Sequence, residues 1–356
     1  MIQLKSIHVK DYKNFIDTEI DFTDSSKYCA FIGLNASGKS NLLEIISKIF
    51  AGLYKSKKTE FKPDFEYIIM YTINGFEIEI ELRKNPSEFT YYFKVNEVSK
   101  NKTEFERNII EYLPSKIIIN YSGEESRLWE EVYSKFYDDY LANIRKKTIF
   151  QNQMNYINKF NWDMALVSLL FIDDDYTKEL LELENINSVK VKFSFDKTQY
   201  KNYGSNPVVD FVKSINLNNL DEETIDFVTL KFNEIIIGIN DLEKSINLFN
   251  FLYIAYMPKD KKIIKDIEVQ FDDLTMKLLS EGQKKLILVR FITKLLADEN
   301  SLILFDEPDS HIHVSRKEKL AELINESLAY SLLTTHSPAL INFLDENSNA
   351  AAVAPR

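Results

Sequence analysis

Two runs far apart in the chain carry residue types suited to a polyphosphate. Gly33-Leu34-Asn35-Ala36-Ser37-Gly38-Lys39-Ser40 fits the spacing G-x-x-x-x-G-K-[ST]. A loop of this kind turns backbone N–H groups inward at the positive end of a helix dipole, and that cradle suits phosphate oxygens. Lys39 is then placed to neutralise the outer phosphates and Ser40 to hold Mg2+. With only 8 glycines in 356 residues, a chance fall of two into this register explains the match poorly.

The second run, Leu302-Ile303-Leu304-Phe305-Asp306-Glu307-Pro308, is apolar and ends in two acids. Carboxylates at the end of a buried strand need a cation or hydrogen-bond donors, because unpaired buried charge is costly. Mg2+ would supply that compensation, with Asp306 orienting the hydrated ion and Glu307 polarising an attacking water. A third run, Leu279-Ser280-Glu281-Gly282-Gln283, lies about two dozen residues ahead of the acids and opens a helical pattern. A serine and a glycine at a helix N-terminus offer an anion a hydroxyl, free N–H groups and a positive dipole end. Taken alone, Ser-x-Gly is equally an ordinary helix cap.

The elements that must position these residues follow from periodicity. Residues 3–10 alternate as a strand, Tyr28–Ile32 reads as a short buried strand, and a helix begins near Lys39 with apolar positions 42, 45, 46, 49 and 50. Residues 65–95 read as antiparallel strands, with Asn74-Gly75 as a type I′ hairpin turn and Asn85-Pro86-Ser87 as a second turn. Residues 116–120, 263–271, 302–305 and 332–335 read as strands and 283–296 as a helix. Residues 127–251 read as mostly helical, interrupted by a strand at 189–195, with no sustained heptad and so no long coiled-coil arm.

Composition limits the function classes. A chain of 356 residues that is 45% hydrophobic reads as globular. Its longest apolar runs, such as 165–172, fall well short of the roughly 18 residues of a membrane span. The start, Met1-Ile2-Gln3-Leu4-Lys5, lacks the pattern of a secretory signal, so a cytoplasmic location is expected. Cys29 stands alone in an apolar stretch and reads as a small buried hydrophobe. The net charge of −11 repels nucleic acid on average, so DNA binding would need a local basic patch. The three basic runs are Lys55, Lys57, Lys58 and Lys62; Arg145, Lys146 and Lys147; and Lys259, Lys261, Lys262 and Lys265. Each is flanked by acids and reads as a solvated face rather than a DNA site.

Taken in order, these motifs resemble the ABC ATPases, in particular the branch that holds RecF, SMC and OLD-like proteins. The run around Ser280 is similar to the signature motif, which in that family contacts the γ-phosphate of ATP bound to the other protomer. Asp309-Ser310 resembles the loop that lines the dimer interface, and Thr334-Thr335-His336-Ser337-Pro338 resembles the switch region, where His336 would hydrogen-bond the γ-phosphate. Asp306 through His313 resembles the Asp-Glu-Pro-x-x-His-x-His pattern of the branch, with His311 and His313 read as loop packing ahead of metal binding. Tyr12-Lys13-Asn14-Phe15, Ile20-Asp21-Phe22 and Asn41-Leu42-Leu43 are similar to the opening of these proteins, and Lys13 or Asn14 either touches nucleotide or forms a strand-end polar pair. Gln151 and Gln153 are each either the glutamine-loop residue or plain helix surface, and 120–125 is either a nucleotide-sensing loop or a plain strand-to-helix turn.

The resemblance implies an α/β fold: an ABC-ATPase head with a mixed sheet, an antiparallel β lobe and a mainly helical insertion. The expected domains are a discontinuous nucleotide-binding domain of residues 1–60 and 265–345, a β lobe at 61–125, a helical insertion at 126–264 and a tail at 346–356. It implies ATP and Mg2+ as ligands. Glu307, Lys39 and His336 are expected in catalysis, and Ser40 and Asp306 at the metal. Gly33, Asn35, Gly38, Lys39, Ser40, Asn41, Ser280, Gly282 and Gln283 are expected at the nucleotide. Two copies would sandwich ATP, and hydrolysis would open the pair. The expected task is that of an ATPase subunit in an OLD-like bacterial anti-phage or DNA-maintenance system. The second reading is a RecF-like clamp on DNA whose ATPase times release. Many relatives carry a C-terminal nuclease, whereas some 18 residues follow Pro338 here. Either the effector is a separate nuclease or toxin, or the natural chain is longer; no membrane partner is expected.

Overall fold

The computed structural model describes residues 1–23, 25, 27–33, 38–54, 61–86, 88–122, 127–145, 152–172, 174–181, 189–196, 227–231, 242–256, 262–271, 274–275 and 279–344. Asn35, residues 123–125, Gln151, the tail at 346–356 and the basic residues Lys55, Lys57, Lys58, Lys146, Lys147, Lys259 and Lys261 lie outside them. By compactness the chain divides into two units. One comprises Met1–Asp139, Asn152–Ile157 and the chain from Ala297; the other comprises Tyr140–Gln151 and Asn158–Leu296.

The first unit holds two sheets. Five strands lie in the order Tyr28–Ile32, Tyr330–Thr335, Leu302–Asp306, Ile117–Tyr121 and Met154–Asn158. The three pairings from Tyr28–Ile32 across to Ile117–Tyr121 are parallel, with Leu333 opposite Ala30 and Phe305. Every residue of Leu302–Asp306 and Tyr330–Thr335 is buried. Parallel strands are covered on both faces, which is why Leu302–Phe305 reads as an unbroken apolar run, while Tyr330–Thr335 buries hydroxyl side chains beside its leucines. The second sheet is antiparallel, in the order Phe15–Asp21, Gln3–Tyr12, Tyr67–Ile73, Phe76–Lys84, Phe89–Val95 and Val98–Lys100. Tyr67–Ile73 alternates buried and half-buried positions, the mark of a sheet with one face packed. Asn74 and Gly75 hold φ of 51° and 81°, the left-handed pair that the Asn-Gly turn requires. Asn96 and Glu97 make a second such turn at 49° and 64°, steadied by the Asn96 side chain, which accepts the Glu77 N–H at 2.8 Å.

The helix Lys39–Leu53 packs with both sheets in one apolar cluster. That cluster joins Ile45, Ile46, Ile49 and Phe50 to Leu4, Ile69 and Tyr71 of the antiparallel sheet and to Cys29, Ile117 and Leu304 of the parallel one. Twelve of its fifteen residues are buried, so its polar positions as well as its apolar face must find partners inside the protein. Each fully buried Ile or Phe contributes on the order of 1.5–3 kcal/mol. Cys29 is buried, as its apolar setting predicts.

In the second unit, the strands Phe227–Lys231, Val189–Phe195, Ile264–Phe271 and Leu274–Thr275 form an antiparallel sheet in that order. The helices Trp162–Phe171, Leu242–Tyr256 and Glu281–Phe291 belong to the same unit, the last continuing into a π-helical turn at Ile292–Leu296. Arg290 binds Asp174 through Nε at 3.1 Å and a terminal nitrogen at 2.8 Å. The fold class is therefore α/β with separate parallel and antiparallel sheets. Two local expectations fail: Met154–Asn158 and Phe227–Lys231, both read within a helical stretch, are strands. Five residues are too few for periodicity to decide, and pairing with a sheet overrides local preference.

Candidate functional site

The phosphate-loop helix opens at Gly38, whose φ of 91° lies in the left-handed region open to glycine without strain. Two residues on, the Ser40 hydroxyl donates to Asp306 Oδ1 at 2.9 Å. Asp306 ends a strand buried throughout and is itself 3% exposed. The same carboxylate oxygen accepts the Thr334 hydroxyl at 3.0 Å, so hydrogen bonds compensate its burial from two neighbouring elements.

Glu307 follows with φ of 48°, unusual for a residue with a side chain. Its N–H donates to the Thr334 carbonyl at 3.1 Å and to Thr334 Oγ1 at 3.0 Å. These bonds hold the strained residue, a pattern found where geometry matters more than local energy. Its Oε1 lies 2.7 Å from His336 Nε2. His336 stands just past the buried strand Tyr330–Thr335, and Lys39 Nζ reaches its Nε2 at 3.2 Å. One ring nitrogen cannot serve both partners at once: protonated, it donates to Glu307; unprotonated, it accepts from Lys39. Lys39 also donates to the Gly33 carbonyl at 2.9 Å. Burial lowers the Lys39 ammonium pKa below the ordinary lysine value, against the opposing pull of Glu307 and Asp306.

The structure thus gathers Gly33, Gly38, Lys39, Ser40, Asp306, Glu307 and His336 from the two ends of the chain. Asn41 binds the side chain of Asn14 at 2.7 Å and is 3.4 Å from Lys13 Nζ. Ser280, Gly282 and Gln283 lie in the second unit. There Ser280 caps the helix Glu281–Phe291: its Oγ accepts the Gln283 N–H at 3.3 Å, and Gln283 Oε1 accepts the Ser280 N–H at 3.1 Å. His313 caps the helix Val314–Asn325 through the Ser315 N–H, and His311 sits in a turn at φ of 63°. Among the described residues no group of three or more His, Cys, Asp or Glu is placed to hold a metal ion by itself.

Residues 29–342 match the family described as AAA domain, putative AbiEii toxin, Type IV TA system. The chain belongs to that family. It is an ABC-type ATPase of the RecF/SMC/OLD-like branch. It is 22% identical to the Retron Vc95 probable ATPase of Vibrio cholerae serotype O1 biovar El Tor, over 96% of this chain and 71% of that protein. It is 24% identical to the DNA replication and repair protein RecF of Thermoanaerobacter sp. (strain X514), over 94% of each. A solved RecF-ATP structure of the RecFOR pathway is 19% identical over 94% of each chain, with a TM-score of 0.40. No helix among the described residues is long and apolar enough to cross a membrane.

Beside the candidate site of this ABC-type ATPase lies a charge cluster that no motif marks; Lys13 joins it to Asn41. Glu44, with a side chain 4% exposed, accepts the Tyr12 hydroxyl at 2.6 Å, Lys13 Nζ at 2.5 Å and Arg127 at 3.0 Å, and Lys48 stands 3.4 Å away. Burial pushes its pKa up, but hydrogen bonds from Lys13 and Tyr12 outweigh that and hold it below the usual glutamate value. A Glu and a Lys four apart on a helix with so apolar a sequence were the available signal; their partners, up to 83 residues away, were not.

Proposed function

We propose that the chain binds and hydrolyses ATP between two copies of itself and serves as the motor or sensor subunit of an OLD-like bacterial anti-phage or DNA-maintenance system. The observation that carries this reading is that Ser40 hydrogen-bonds Asp306 while the adjacent Lys39 reaches His336, which in turn meets Glu307. Lys39 and the N–H groups at the start of its helix would hold the phosphates, Glu307 would take the proton of the attacking water, and His336 would meet the γ-phosphate.

Ser40 and Asp306 are a hydroxyl and a carboxylate 2.9 Å apart, hard oxygen donors that suit Mg2+, which keeps several waters and so needs few protein ligands. Bound there, Mg2+ would neutralise charge on the phosphate oxygens. In the second copy, the Ser280 hydroxyl and the N-terminal amides of its helix would complete the pocket. The defence task is supported by the retron ATPase relative and by the toxin–antitoxin family description; the effector is proposed as a separate nuclease or toxin.

Glu307→Gln tests the reading. Turnover should fall by about 10²-fold or more, and size-exclusion with ATP should show a trapped dimer. A monomer unchanged by ATP would count against it. The RecF relative favours a second reading, a DNA clamp with ATPase-timed release. Salt-sensitive stimulation of turnover by DNA would support that one, and turnover indifferent to DNA the first.

A further inference from the structure

Asp309 is 5% exposed, and each of its carboxylate oxygens is committed. Oδ1 accepts the Thr335 hydroxyl at 2.8 Å, and Oδ2 accepts the buried Lys317 ammonium at 2.8 Å. The Thr335 oxygen also accepts the Ser337 N–H at 2.9 Å, so its own proton is the one that points to Asp309. Three elements meet there: the turn after Leu302–Asp306, the end of Tyr330–Thr335 and the helix Val314–Asn325. Asp309 is two residues from Glu307, and Thr335 adjoins His336. Within the turn, Ser310 donates to the Glu307 carbonyl at 3.1 Å and Ile312 to the Asp309 carbonyl at 3.2 Å, so a shift at Asp309 carries to Glu307.

A buried ion pair is a poor source of net stability, since an apolar replacement of both partners is often neutral or better, while its geometry is demanding. We propose that Lys317, Asp309 and Thr335 form a brace that positions Glu307 against His336, which makes Lys317 and Thr335 positioning residues for hydrolysis. The inference rests on the ATPase reading above. Neither residue reaches the reacting atoms; both act through the spacing of the two that do. Misplacing a reacting group by about 1 Å costs on the order of 10²-fold in rate, and smaller shifts cost less.

The test compares steady-state ATP hydrolysis and melting temperature for the full chain and for Thr335→Val, Thr335→Ser and Lys317→Met. Thr335→Val keeps the shape and removes the hydroxyl; kcat should fall by about 10-fold or more while KM stays within about twofold, the signature of a loss felt in the transition state. Thr335→Ser keeps the hydroxyl and should restore kcat to within about threefold of wild type. Lys317→Met should repeat the kcat loss; if it does not fold, the Thr335 pair decides. Folded Thr335→Val with wild-type kcat, or Ser and Val variants that are alike, overturns the brace and leaves the ATPase reading intact. Wild-type protein that hydrolyses no ATP overturns both.

Discussion

Asn14 occupies the space that a side chain on Gly38 would need: a Cβ there would come within 2.1 Å of Asn14 Nδ2. Asn14 is held by Asn41 at 2.7 Å, so it has little room to retreat, and the φ of 91° adds strain for any residue but glycine. Gly38→Ala should cost roughly 1–3 kcal/mol of stability and weaken ATP binding by at least about tenfold. Adding Asn14→Ala should recover part of the loss, because it relieves the contact but not the backbone. Thermal melts and nucleotide titrations of both variants check this; a single variant that binds ATP like wild type would remove Gly38 from the cradle.

Glu44 gives a prediction with a sign in pH. Its folded pKa lies below the ordinary 4.5, so its stabilisation is complete above that value and is lost as pH falls through the folded one. Glu44→Gln leaves Lys13, Lys48 and Arg127 around a neutral amide. The expected cost near neutrality is roughly 2–3 kcal/mol, less than the ~3–5 of a fully buried pair, because Lys13 and Arg127 reach solvent. Melting temperatures of the two proteins should differ most above about pH 5 and converge below it. A gap independent of pH would show that the carboxylate charge is not what holds the cluster.

Asp163 runs the other way. Burial, aided by the charge of Asp266 and opposed by the Met164 N–H and the Tyr256 hydroxyl, raises its pKa from 3.8 to about 7. A folded state that keeps its proton loses stability as pH rises above 3.8 and stops losing it beyond about 7. Asp163→Asn retains an oxygen for the Met164 N–H, now accepted at 2.7 Å, without the charge. It should gain on wild type in melting temperature between pH 4 and 7 and then hold a constant lead. A flat difference across that range would refute the shift.

Much of the fold is legible in the sequence. Tyr28–Ile32 and Leu302–Phe305 are unbroken apolar runs, since parallel strands are buried on both faces, whereas Tyr330–Thr335 shows only Leu332 and Leu333 between hydroxyl residues that are buried as well. Asn74-Gly75 announced its turn through two residues that tolerate positive φ, whereas Asn96-Glu97 makes the same turn without a glycine and gave no comparable signal. Met154–Asn158 carries no period long enough to read and became a strand because a sheet was there to receive it. Lys317 looks like any helix-surface lysine until Asp309 is found beside it.

The sequence by itself determined the phosphate loop, the paired acids and the residues that follow them, because these depend on backbone conformations set within a few residues. Tertiary structure alone decided that Ser40 meets Asp306 across 266 positions, that Lys39 meets His336 across 297, and that Glu44 is ringed by cations. Such contacts are settled by which elements pack together to bury the shared apolar core, and no local pattern encodes the partner of a side chain that distant.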